Sequence, residues 1–317
     1  WDTDAGTVLN LGVLDAGNPL NESYATDISG DGRTVVGASS IPGGLRAFAW
    51  FEGATMGTVG NEQMYQLQGL TGATYWDAGA VSDNGLYATG TSNGTVAGTV
   101  ISRHAVRWNL SGLEAGGPGS DSIVSLGSLT GSDSGYSQGY DISADGRVVV
   151  GVADDENAIA RAFRWVEGAT TGDADNAQMH SLGALGSNVT NVSEARAVSR
   201  DGQYVVGWSQ TDTESSLAFR WSGETGMESV HDWLARNGVD VDDLVLTDAT
   251  AIADNGLVVA GVMTVPDEGE RAYIARVTAP PGPGPGPGPG PDGDDEPFEP
   301  GDGENVQTPD DCFGEGL

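Results

Sequence analysis

One eleven-residue pattern occurs five times in this chain: DISGDGRTVVG (Asp27–Gly37), AVSDNGLYATG (Ala80–Gly90), DISADGRVVVG (Asp141–Gly151), AVSRDGQYVVG (Ala197–Gly207) and AIADNGLVVAG (Ala251–Gly261). In each copy Asp-Gly or Asn-Gly separates two runs of small and β-branched residues. This is the composition of a β-hairpin, because the turn needs φ > 0 and Gly supplies it without steric cost. The turn glycines are Gly32, Gly85, Gly146, Gly202 and Gly256. A second Gly follows each turn (Gly37, Gly90, Gly151, Gly207, Gly261). Inside a strand such a residue marks a bulge or the close approach of another backbone.

A third strand follows each hairpin: RAFAW (Arg46–Trp50), HAVRW (His104–Trp108), RAFRW (Arg161–Trp165), LAFRW (Leu217–Trp221) and RAYIA (Arg271–Ala275). Alternation places Arg161, Phe163 and Trp165 on one face, with the Arg stem over the aromatics. A fourth segment closes the unit: LGVL (Leu11–Leu14), LQGL (Leu67–Leu70), LGSL (Leu126–Leu129) and LGAL (Leu182–Leu185). The near-duplicates WFEGATMGTVGNEQM (Trp50–Met64) and WVEGATTGDADNAQM (Trp165–Met179) indicate internal duplication. The one helix expected, Asp232–Asn237, is capped by Gly238.

Four short strands per repeat of roughly 55 residues is the pattern of a propeller blade. The expected fold is therefore all-β, a five-bladed β-propeller over residues 1–278, with an extended Pro/Gly-rich C-terminal tail. An open β-solenoid or two packed sheets are the competing architectures. The chain begins on a fourth-type segment, TVLNLGVL (Thr7–Leu14), and its last repeat ends on a third-type strand, RAYIARV (Arg271–Val277). The N-terminal strand is thus expected to pair with the last one and close the ring, which removes an exposed edge.

These motifs resemble the HAF family of extracellular repeats: Leu-Gly-x-Leu, then A-x-x-IS-x-DG-x-x-VVG, then AF-x-W, with DWL (Asp232–Leu234) through AIADNG to RAYIARV at the end of the array. The likeness spans roughly residues 9 to 277 and is weakest in the second copy, which has Val106 for Phe and Ala88-Thr89 for Val-Val. The resemblance implies an exported or surface-displayed protein and brings no catalytic residue set.

The net charge is −33 and all 13 basic residues are Arg, so lysine chemistry is excluded. So anionic a surface repels nucleic acid and anionic lipid. No apolar run reaches the ~20 residues of a membrane-spanning helix. The first residue, Trp1, fits a mature chain whose export signal has been removed, hence an extracellular or cell-surface location. The three His residues (His104, His180, His231) form no metal-ligand pair, and no nucleophile elbow, P-loop or C-x-x-C is present. No metal or other cofactor is expected. Asp27 and Asp141 occupy equivalent positions where the other copies have Ala80, Ala197 and Ala251. They are expected to serve turns or hydrogen bonds between blades; a two-acid glycosidase site is the alternative. Asp31, Asp145 and Asp201 are turn residues. Glycosylation sequons stand at Asn21, Asn93, Asn109, Asn188 and Asn191.

Residues 279–291 form a Pro-Gly rod and 292–317 an acidic tail. Alternation of Pro and Gly has the wrong period for collagen, and extends as polyproline II at ~3.1 Å per residue. The run Asp292–Glu304 gathers cations such as Ca2+ weakly at most, since it lacks an EF-hand pattern. The expected function is a non-catalytic, self-assembling structural or adhesive subunit, a filament or surface layer built head-to-tail through the tail. Pro281, Pro283, Pro285, Pro287, Pro289 and Pro291 would form the rod, Pro297, Phe298 and Phe313 the anchors, and Cys312 an interchain link. The partners are then other copies, or a glycan or cell surface. The rivals are a glycan-binding module, which needs an exposed aromatic platform, and an enzyme acting on extracellular polysaccharide.

Overall fold

The computed structural model describes residues 8–115, 123–131, 135–173, 176–214, 216–241 and 244–278. The chain divides into two units, Trp1–Thr278 and Ala279–Leu317. The second lies outside the described residues, and with it the expected rod, the anchors Pro297, Phe298 and Phe313, and Cys312.

The first unit consists of five antiparallel sheets, one per repeat. The first holds β1 (Ser23–Ile28), β2 (Thr34–Ile41), β3 (Gly44–Phe51) and β4 (Met64–Gln66). The second holds β5 (Trp76–Val81), β6 (Tyr87–Val96), β7 (Thr99–Asn109) and β8 (Ile123–Gly127). The third holds β9 (Ser137–Ile142), β10 (Val148–Asp154), β11 (Ala160–Val166) and β12 (Met179–Ser181). The fourth holds β13 (Ser193–Val198), β14 (Tyr204–Ser209), β15 (Leu217–Ser222) and β16 (Gly226–Ser229), and runs into a helix, α1 (Val230–Arg236). The fifth has only β17 (Val245–Ile252), β18 (Val258–Val265) and β19 (Gly269–Arg276).

The turn glycines all adopt φ between 66° and 76°, as the hairpins require. The second glycine of each copy combines both expected roles. A bulge interrupts the ladder beside it in every sheet. A Cβ at Gly37, Gly90, Gly151, Gly207 or Gly261 would overlap a carbonyl oxygen of the neighbouring strand. Helix α1 begins at Ser229, whose hydroxyl accepts from the Asp232 N–H, and ends at Gly238 with φ +77°.

Successive sheets pack face to face in a row, each first strand beside the next, as in a propeller. Each inter-sheet layer is apolar. Val148, Val150 and Ala162 of the third sheet, for example, meet Ala195, Val198, Val205 and Phe219 of the fourth.

Three expectations are corrected. In the first and third sheets the fourth strand (β4, β12) lies just before the Leu-Gly motif rather than on it, while β8 of the second runs onto it as far as Gly127; Gly12, Gly127 and Gly183 take φ of 72–77° and turn the chain toward the next sheet. Arg161 does not cover Phe163 and Trp165; it turns to Asp155 at 3.0 Å and to the carbonyls of Val189 and Asn191. Among the described residues the ring is not closed. Residues 8–14 form no strand and do not pair with β19, and β17 lacks against β1 the packing that each first strand makes against its successor. Leu11 and Leu14 instead cover Val35, Phe48 and Trp50 of the first sheet.

Candidate functional site

The interior junctions show what one sheet offers the next. Each hairpin turn rests on the first residue of the preceding sheet's second strand. Gly85 sits on Thr34, Gly146 on Tyr87, Gly202 on Val148 and Gly256 on Tyr204. Arg side chains of the third strands reach forward. Arg164 donates to the Gly202 carbonyl (3.0 and 2.9 Å) and Arg220 to that of Gly256 (3.1 Å). Arg107 lies over Tyr87, and Arg220 over Tyr204 and Trp233. Such stacks combine burial of the stem with attraction of the cation to the ring face.

The Leu-Gly motif of each sheet is gripped by the next. The Ser137 hydroxyl donates to the Gly127 carbonyl, and Ser193 donates to that of Gly183 at 2.6 Å. The Asn176 amide donates to the carbonyls of Leu126 (2.8 Å) and Ser128 (3.2 Å).

The first sheet makes the same three contacts with the N-terminal segment. Ser23 donates to the Gly12 carbonyl at 2.6 Å, and Asn61 to Leu11 (2.8 Å) and Val13 (3.3 Å). Leu14 N–H donates to Ser39 at 3.1 Å, as Leu70 does to Ser92 and Leu185 to Ser209. Residues 11–14 are therefore bound as the closing motif of a preceding sheet would be, without that sheet.

A groove of about 890 Å³ remains in its place, lined by Leu9, Ala25, Asp27, Ile28, Gly32 and Glu52 among others. Ile28 is 51% exposed, whereas its equivalents Val81, Ile142 and Val198 are 5%, 6% and 8% exposed. Gly32 is exposed with nothing against it, while the other four turn glycines are buried. At the opposite end of the row, Ala272 and Ile274 are exposed where Ala162 and Arg164 meet the next sheet. No strand among the described residues pairs with the outer edge of β19.

The carboxylates singled out in the sequence serve the junctions. Asp27 accepts from the N–H of Ile28 and of Val81 in the next sheet, both at 2.8 Å. Asp141 accepts likewise from Ile142 and Val198. Burial pushes the Asp141 carboxyl up to about 6, and that of Asp27 upward, against the lowering effect of these N–H bonds. Asp31, Asp145 and Asp201 each bond within their own turns. His104 is buried, its Nδ1 2.7 Å from the Ser125 hydroxyl. No cluster of three or more His, Cys, Asp or Glu among the described residues has metal-site geometry. Asn191, one of the sequons, is buried and donates to Asp212. Tyr24 is the only aromatic among the exposed large apolar side chains of the described residues; Trp50, Trp76, Trp108, Trp165 and Trp233 are buried.

Sequence reading missed the gripping residues Ser23, Ser137, Ser193, Asn61 and Asn176. A signal existed for the last two: they hold the same place, three residues before Met, in the near-duplicate segments ending NEQM and NAQM.

No family model matches the chain, and no curated protein matches it. Among solved structures, TolB from Acinetobacter baumannii is similar, with 14% identity and a TM-score of 0.44 over 80% of this chain and 54% of that one. TolB from Agrobacterium tumefaciens shows 12% identity and a TM-score of 0.47 over 81% and 77%. A prolyl oligopeptidase B from Galerina marginata shows 11% identity and a TM-score of 0.45 over 81% and 37%. The chain spans about half the length of the Acinetobacter TolB. At these values the likeness carries no function across.

Proposed function

We propose that this chain is a non-catalytic structural or adhesive subunit, displayed outside the cell, as the resemblance to the HAF repeats implies, and self-assembling into a filament or layer. The observation that supports it is the state of the two ends of the row. One presents an apolar groove and the other an unpaired strand, and an exposed edge of this kind invites pairing with another chain. The acidic surface favours cations or neutral surfaces over nucleic acid, and its like charge opposes association of copies except where a local contact outweighs it. Closure of five sheets into a ring within one chain is the rival arrangement, and it would leave no ends. The C-terminal tail is a second route to assembly.

Light scattering and electron microscopy over a range of concentrations test the reading. Concentration-dependent growth of the full chain supports it. A monodisperse monomer at every concentration contradicts it. Comparison with a chain ended at Thr278 separates assembly through the tail from assembly through the first unit.

A further inference from the structure

The two ends of the row are the two halves of one junction. Resting on the self-assembling reading above, we infer that the groove on the first sheet is the docking site for the fifth sheet of a second copy, with residues 8–10 pairing as the missing fourth strand against the incoming β19.

The register follows from the interior sheets. β11 and β12 pair Phe163 with Ser181, Arg164 with His180 and Trp165 with Met179. Ser181 directly precedes the Leu-Gly motif at Leu182, as Asn10 precedes Leu11. Phe163, Arg164 and Trp165 correspond to Tyr273, Ile274 and Ala275. The docked pairs are therefore Tyr273 with Asn10, Ile274 with Leu9, and Ala275 with Val8. Leu9 and Ile274 are each 66% exposed in the separate chain, and directly opposed apolar pairs stabilise a ladder.

The rest of the junction matches as well. Val258 stands where Thr34, Tyr87, Val148 and Tyr204 receive the turn glycines of the next sheet, and no described turn rests on it. Gly32 is the turn glycine without a seat. Arg276, exposed and paired with Val258 across the β18–β19 ladder, falls on the same face as Ile274. It comes beside the turn holding Asp31, and the groove is lined further by Asp27 and Glu52. Arg276 thus meets the Asp31 turn, a local match of opposite charges at this end of the face. Because the last sheet of one copy completes the first sheet of the next, the contact is head-to-tail and propagates.

Cross-linking in the full-length chain with Cys312→Ser tests it. A tagged Leu9→Cys protein is mixed with an untagged Ile274→Cys protein and treated with a short bismaleimide. Both sites are exposed, so neither substitution threatens the fold. The expected result is a tagged–untagged heterodimer in at least ~tenfold excess over a control pair with the cysteine at exposed Val189, and its loss when Arg276→Glu is added. No excess over the control overturns the docking. If light scattering still shows growth, self-assembly stands by another route; if it does not, both readings fail. A chain carrying both cysteines that links mainly to itself at high dilution also overturns the docking, in favour of ring closure.

Discussion

The junction between the third and fourth sheets and the outer face of the first sheet use equivalent sequence positions, yet one is dry and the other open. Val198 is buried beneath the third sheet, while Ile28, at the same place in its repeat, is half exposed. Gly202 rests on Val148, while Gly32 rests on nothing. Nothing in the two hairpin sequences explains the difference; only the presence of a preceding sheet does. Burial in a repeat array is set by neighbours as much as by residues, and terminal repeats carry the unmatched surface.

The comparison breaks most visibly at the largest side chains. Phe163→Ala removes a fully buried ring from the layer between the second and third sheets, with an expected loss of about 3–5 kcal/mol in urea unfolding. Ile274→Ala, at the open end, should stay within about 0.5 kcal/mol in dilute solution, the range of ordinary surface changes. Equal losses would show that the end is covered within one chain.

Arg220→Ala removes the donor to the Gly256 carbonyl and one cationic partner of nearly buried Glu228. A drop of about 3 kcal/mol is expected, mostly from the stranded carboxylate, tempered by Arg236, which also pairs with Glu228.

Asp141→Ala leaves the N–H groups of Ile142 and Val198 without their acceptor, at an expected cost of about 1–3 kcal/mol for each group stranded. The same residue gives a pH signature. Its folded carboxyl titrates near 6 and an unfolded one near ~3.9, so between these values the folded chain holds the extra proton and stability falls as pH rises. Asp212 has the opposite sign. Hydrogen bonds from Ser187, Asn188 and Asn191 hold its carboxyl down to about 2, so its contribution is present above the unfolded value and lost as pH falls toward 2. Thermal melts from pH 2 to 7 with Asp141→Ala and Asp212→Asn separate the two: the first should flatten the fall between pH 4 and 6, the second the loss at the acid end.

The smallest contrast is between glycines. Gly32→Ala and Gly202→Ala both strain a positive φ, worth about 1 kcal/mol. Gly202→Ala also collides with Val148 and should cost measurably more.

The repeat unit was legible because hairpin chemistry is local. Asp-Gly and Asn-Gly fix the turns, period two fixes the faces, and five copies in register fix the number of sheets. Helix α1 was legible from DWL and Gly238 for the same reason. Ring closure was not, because whether residues 8–14 reach β19 depends on the angle accumulated over four junctions, and no single repeat encodes that sum. The direction of Arg161 was also hidden, since Asp155 lies on the hairpin loop just before its strand and competes for the guanidinium. The open groove was half visible: a fourth-type segment at the start and a third-type strand at the end announced complementary halves, without saying whether they meet within one chain or between two.

Amide hydrogen exchange of residues 8–10 and of the N–H groups on the outer edge of β19, followed over a hundredfold range of protein concentration, measures this most directly. Complementary ends that dock between copies predict fast exchange at both segments in dilute solution and joint protection as concentration rises. Protection of both that does not change with concentration, or exposure of both at every concentration, would contradict it.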